Sequence, residues 1–209
     1  MAKYRHIVFD VDGTLIDTRD CILYSLQEML MTVKGERYEI EDLKFVLANT
    51  SVKNMHLLGV EEEKIPGAVE MWVANEEKNI DMIRIFEGIE ELLEKLEKKG
   101  STLGVVTSRT REELELVLDQ LPIRKYFSIC ICADDTKEHK PSAQPLLKYM
   151  ELSGARKEET VYIGDSASDM ACALNAGVDC VHAVWGEPET EADATYRAGK
   201  PEQLEEIFL

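Results

Sequence analysis

The sequence predicts an α/β protein: a doubly wound, mainly parallel sheet with an all-helical segment inserted between its first two strands. Three observations carry this expectation. Short β-branched runs alternate with amphipathic stretches from residue 86 onward, the pattern of parallel strands joined by right-handed crossovers. One further run, Ile7-Val8-Phe9, stands apart near the start. Between residues 17 and 85 every apolar periodicity is helical and no strand pattern occurs. With 209 residues the chain can form one large core, or a core with a smaller insertion.

Taken in order, Ile7, Val8 and Phe9 read as a buried strand that ends in Asp10-Val11-Asp12-Gly13-Thr14. Residues 17–33 carry Ile22, Leu23, Leu26, Met29, Leu30 and Val33 as a helical stripe. Further helical patterns cover residues 41–48, 52–58 and 66–80. From residue 87 a helix presents Ile89, Leu92, Leu93 and Leu96 on one face, with Glu91 and Lys95 spaced as an i,i+4 pair and Gly100 to stop it. A strand follows over residues 102–107, then a helix whose Thr110 and Glu113 match a capping box. Next come a strand at about 127–132, a helix from about Pro141, a strand at 160–163, a helix over 167–176 ending at Gly177, a strand at 180–184, and a short helix after Pro201. The expected division is a core of residues 1–16 and 86–209 and a helical cap of residues 17–85, with hinge-like linkers at Ile16-Asp17 and Ile85-Phe86-Glu87-Gly88.

Composition narrows the function classes. A formal net charge of -17 without a basic block argues against nucleic-acid binding. No apolar run approaches a membrane span, and the N-terminus lacks a signal-peptide pattern. Five cysteines (Cys21, Cys130, Cys132, Cys172 and Cys180) lack metal-type pairing and suit a reducing, cytoplasmic setting.

The polar residues at the strand ends carry the chemistry, because parallel strands aim their carboxyl ends at one edge of the sheet, where ligands bind. Asp10 and Asp12 share a face if the strand runs on through them, and two close acids need a cation or a shared proton. Gly13 permits a left-handed turn there. Thr107-Ser108-Arg109 offers a hydroxyl and backbone N–H groups that suit an anion, and reads equally as helix capping. Proline as the first helical residue would deliver Lys140 beside a helix start. Asp165 ends the fourth strand, and Asp169 falls in the following helical turn. Four acids, one lysine and a hydroxyl cradle suit Mg²⁺ together with a phosphoryl group.

This combination, Asp10-Val11-Asp12-Gly13-Thr14, Thr107, Lys140-Pro141 and Gly164-Asp165 through Asp169, resembles the haloacid dehalogenase-like superfamily along the whole chain. The helical insertion is similar to the cap of phosphoglycolate phosphatase-like and β-phosphoglucomutase-like members. The resemblance implies a Rossmann-like core and a Mg²⁺-dependent phosphatase acting on a small phosphorylated metabolite. It implies Asp10 as nucleophile, forming an aspartyl-phosphate. Asp12 becomes the general acid and base, with its backbone carbonyl on Mg²⁺. Thr107 and the Ser108 N–H would hold phosphoryl oxygens, and Lys140 would neutralise charge. Asp165 would ligate Mg²⁺ with Asp10, and Asp169 would support the metal directly or through water.

Departures from the family pattern direct the choice within it. Phe86-Glu87-Gly88 and Lys140-Pro141-Ser142-Ala143 each lack a proline common among relatives. Mutase relatives carry an arginine where this chain has Asn49-Thr50-Ser51-Val52-Lys53-Asn54, which favours a hydrolase over a phosphomutase. Asp12 argues against a 2-haloacid dehalogenase, and the full set of site groups argues against a non-catalytic protein. Phosphoglycolate, inorganic pyrophosphate and sugar phosphates remain admissible substrates. Specificity is expected in the cap, where Trp72 reads as helix packing and His56 as surface.

Overall fold

The computed structural model describes residues 3–48, 51–186 and 192–209. Asn49 and Thr50, within the stretch where mutases carry an arginine, lie outside the described residues. The chain runs β1 (His6–Phe9), β2 (Ile16–Asp17), α1 (Arg19–Lys34), α2 (Ile40–Leu43), α3 (Ser51–Leu57), α4 (Ile65–Lys78) and β3 (Arg84–Ile85). It continues α5 (Ile89–Lys98), β4 (Thr102–Val106), α6 (Arg111–Leu118), β5 (Ile129–Ile131) and α7 (Gln144–Ser153). The last elements are β6 (Thr160–Gly164), α8 (Ala167–Ala176), β7 (Asp179–Ala183), β8 (Tyr196–Ala198) and α9 (Gln203–Phe208).

By internal contacts the chain forms two units, residues 1–17 with 85–209, and residues 18–84. In the first, six strands pair in the order β5-β4-β1-β6-β7-β8, and every pairing is parallel. Ile7, Val8 and Phe9 are fully buried, as a central parallel strand covered on both faces requires. From β1 the chain winds outward through β4 and β5, then returns to β6 on the other side of β1. Right-handed crossovers therefore put α5 and α6 on one face and α7 and α8 on the other. Val8, Val106, Ile131 and Tyr162 pack with Leu146, Tyr149, Met170 and Ala173 of α7 and α8 in one buried cluster. The winding reverses between β1 and β6, so the crevice beyond their carboxyl ends is where a ligand is expected.

The second unit is helical. Leu23, Leu26, Met29 and Leu30 of α1 pack with Leu43, Met55, Ile65, Ala68 and Trp72. Trp72 is buried and donates from Nε1 to the Ile22 carbonyl (3.1 Å), which is the packing role expected of it. His56 is exposed and pairs with Glu62 at 2.9 Å.

Several sequence expectations are corrected. The helix expected from Pro141 begins at Gln144 with Pro145 in its first turn, and Lys140-Pro141 forms part of the turn before it. Strand β1 stops at Phe9, although the Asp10 N–H still pairs with the Ile163 carbonyl (2.8 Å). Edge strand β8 had no counterpart in the sequence reading. Lys95 reaches Glu205 of α9 (2.7 Å) rather than Glu91, while Glu94 and Lys98 make the i,i+4 pair of α5. The Thr110–Glu113 capping box forms as expected.

Candidate active site

Each site residue follows the end of a sheet strand or lies in the adjoining turn. Asp10 follows β1, Thr107 follows β4 and Asp165 follows β6. Lys140 comes from the loop between β5 and α7, and Asp169 from the first turn of α8. Lys140 Nζ donates to Asp10 Oδ1 (2.8 Å) and Asp169 Oδ1 (2.7 Å), and all three side chains are at most 8% exposed. A lysine this deep keeps its charge only because two carboxylates outweigh the burial penalty, and its pKa is driven upward by them.

Asp169 is held from all sides. Its Oδ1 accepts from Lys140 and from Tyr162 Oη (2.9 Å), and its Oδ2 from the Ser166 N–H (3.0 Å) and Oγ (2.5 Å). Burial opposes its charge, but Lys140 and Ser166 more than offset that and hold the carboxyl below the usual range. Tyr162 Oη is also within 2.9 Å of the Val106 carbonyl and accepts from Lys140 Nζ (3.4 Å), so it ties the end of β4 to both charged groups.

Asp10 and Asp165 are under the opposite stress. Burial drives Asp10 well above the carboxylate range despite Lys140, with Asp169, Asp165 and Asp12 adding repulsion. Burial and the Asp169 charge push Asp165 up to about 7. Asp10, Asp165 and Asp169 each offer an oxygen within 4.8 Å of the others. Three hard oxygen donors, two of them on carboxyls whose charge is unfavourable without a cation, fit Mg²⁺.

The turn after β1 separates the two acids that the sequence paired. The Val11 carbonyl accepts the N–H groups of Thr14, Leu15 and Ile16, with Gly13 at φ 73°. A Cβ on Gly13 would strike the Asp165 carboxylate, so glycine is needed here for space as well as for backbone angle. Asp10 enters the buried cluster, whereas Asp12 is 33% exposed and meets the Arg109 guanidinium at both oxygens. The Asp12 carboxylate is thus outside the three-acid group: the strand stops at Phe9, and the convergence that depended on its running on through both acids does not arise.

Thr107 is buried and its Oγ1 accepts the Arg109 N–H (3.2 Å), while Ser108 is exposed. Sequence reasoning passed over four supporting residues. Tyr162 and Arg109 are described above. His182 donates from Nε2 to the Asp165 carbonyl (2.9 Å), and Trp185 donates to the Thr14 carbonyl (3.0 Å). A hydroxyl-bearing aromatic three residues before Asp165, and a basic residue two beyond Thr107, were the available signals. All five cysteines are free thiols. Among the described residues no helix is long and apolar enough to cross a membrane.

This fold and site define an enzyme of the haloacid dehalogenase-like hydrolase family, and the chain belongs to it: the family's model matches residues 7–183. The chain is 30% identical over 188 residues to pyrophosphatase PpaX of Bacillus mycoides, covering 88% of this chain and 85% of that protein. It is 29% identical to PpaX of Bacillus cereus, with 88% and 84% covered. A provisionally named phosphoglycolate phosphatase of Lactobacillus plantarum superimposes with a TM-score of 0.89 at 29% identity, over 99% of this chain and 100% of that one.

The stress on Asp165 has a measurable consequence. A carboxyl raised in the folded state contributes stability that is complete below the unfolded value of 3.8 and lost as pH rises through about 7. A divalent cation held by these acids would bind the ionised form, so its stabilising effect should grow with pH. Calorimetry with Mg²⁺ and with EDTA should show a small Tm gain at about pH 5 and a full one by about pH 8. A pH-independent gain would contradict metal binding at these acids.

Proposed function

We propose that the protein is a Mg²⁺-dependent phosphatase that hydrolyses a small phosphorylated metabolite through an aspartyl-phosphate on Asp10. The observation that carries this reading is the buried Lys140 clamped between Asp10 and Asp169 beside Asp165. Lys140 occupies Asp10 Oδ1, which leaves Oδ2 to attack phosphorus in line. Lys140 also faces the phosphoryl oxygens as a compact point charge, and Thr107 Oγ1 and the Ser108 N–H donate to them.

Asp12 gives a proton to the leaving oxygen and later takes one from the attacking water. Asp10 and Asp165 would hold Mg²⁺ with the Asp12 carbonyl, and Asp169, saturated by four donors, orients Lys140 and the metal's water shell. Bound there, Mg²⁺ supplies charge that draws the phosphate to a carboxylate nucleophile it would otherwise repel. The helical unit serves as the cap that excludes water and sorts leaving groups.

Phosphoglycolate, inorganic pyrophosphate and sugar phosphates are the substrates to screen, the first two also because of the names its relatives bear. A phosphate-release assay on this panel should give turnover with Mg²⁺ that EDTA removes and added Mg²⁺ restores. Turnover indifferent to EDTA, or none on any substrate, would contradict the reading.

A further inference from the structure

The chemistry proposed above gives no part to Arg109. Its side chain is only 13% exposed, and Nε and Nη2 each stand 2.8 Å from an oxygen of Asp12. Its backbone is pinned as well: the N–H donates to Thr107 Oγ1 (3.2 Å) and the carbonyl accepts from Ala133 (2.8 Å). The guanidinium thus links the phosphoryl-binding end of β4 to the carboxylate that would meet the leaving oxygen.

We infer that Arg109 determines specificity by selecting leaving groups that carry their own negative charge close to the bridging oxygen. That chemistry is shared by a diphosphate and by a phosphorylated 2-hydroxy carboxylate. The inference rests on the aspartyl-phosphate reading and deepens it. If Asp12 faces the leaving oxygen, the cation gripping Asp12 lies one side chain away. A leaving phosphate, or an alcohol bearing a carboxylate, brings a second two-oxygen anion to that planar fork, whose geometry matches both. A neutral sugar offers the guanidinium only hydroxyl dipoles. Arginine stays charged at any working pH, and partial burial strengthens the attraction. With a net charge of -17 the chain as a whole repels anionic metabolites, so their binding falls to local cations such as this one.

The test compares kcat/KM for inorganic pyrophosphate, phosphoglycolate and glycerol 1-phosphate in the wild type, Arg109→Met and Arg109→Lys. The wild type should favour at least one of the first two over glycerol 1-phosphate by about 100-fold, the worth of a bidentate charged pair. Arg109→Met should bring that ratio to within about threefold, chiefly through KM. A misplaced Asp12 would slow the two alkyl phosphates most, because their leaving alcohols need its proton most. It would raise the pyrophosphate ratio while leaving that of phosphoglycolate unchanged. A fall in either ratio therefore reports binding of the leaving group and not support of Asp12.

Arg109→Lys, which keeps the charge without the fork, should lower the ratio about tenfold and serves if the methionine variant does not fold. A loss confined to pyrophosphate assigns the phosphate source, and one confined to phosphoglycolate the carboxylate source. A wild type that prefers glycerol 1-phosphate, or a ratio unmoved in the variants, overturns the inference while phosphate release still depends on Asp10. Phosphate release that survives Asp10→Asn overturns the underlying reading instead.

Discussion

Asp10→Asn is expected to abolish phosphate release, by about 10⁴-fold or more, without unfolding the protein. The amide keeps the shape of the carboxyl but provides no anionic oxygen to form a bond to phosphorus. Stability should not fall, because the native charge is unfavourable at this position: burial and the charges of Asp169, Asp165 and Asp12 all oppose it. Lys140 keeps Asp169 and Tyr162 as partners in the variant. The metal-free variant should therefore melt at or above the wild-type temperature, while Mg²⁺ stabilises it less. Phosphate-release kinetics and calorimetry with and without Mg²⁺ check both halves. A variant with near-normal turnover would remove the covalent mechanism.

Lys140→Met should cost both activity and stability. Removing the cation leaves Asp10 and Asp169 buried against each other, and breaking a buried pair in this way costs about 3–5 kcal/mol. Protonation can relieve part of that. With the cation gone, the Asp10 carboxyl is raised further and Asp169 loses the charge that held it down, so stability is retained at low pH and lost as pH climbs through the raised values. Urea midpoints should fall more at neutral and alkaline pH than at acid pH and recover partly with Mg²⁺. Turnover should drop about 10³-fold, the effect of losing a preorganised charge at the phosphoryl group. A variant as stable as the wild type at neutral pH would show that Lys140 does not neutralise the cluster.

Much of this was legible in the sequence because it is local. The β1 run is apolar and β-branched, Gly13 sits where the turn needs a positive φ, and Thr110 with Glu113 closes its own capping box. Asp165 and Asp169 flank a strand-to-helix turn whose spacing fixes their neighbourhood. The missing parts are contacts between distant segments. Arg109 meets Asp12 across 97 positions and Tyr162 reaches Val106 across 56, and no periodicity encodes such pairings. Strand β8 is three residues long, too short to show alternation. Pro141 and Pro145 both fit a helix start, and only the fold chose the second. The two acids of the first strand tip share a face only if the strand continues through them, and the strand stops at Phe9. The turn at Gly13 gives them separate partners instead.

The central claim is that Asp10 becomes phosphorylated during turnover. Asp12→Asn slows the hydrolysis half more than the transfer half when the leaving group needs no protonation, as with p-nitrophenyl phosphate. Acid quenching of that variant during reaction, followed by peptide mass spectrometry, should find one phosphoryl group on the peptide that contains Asp10. Asp10→Asn treated identically should carry none. Continued p-nitrophenol release with no phosphoryl group on that peptide, or with the group on another residue, would contradict the account.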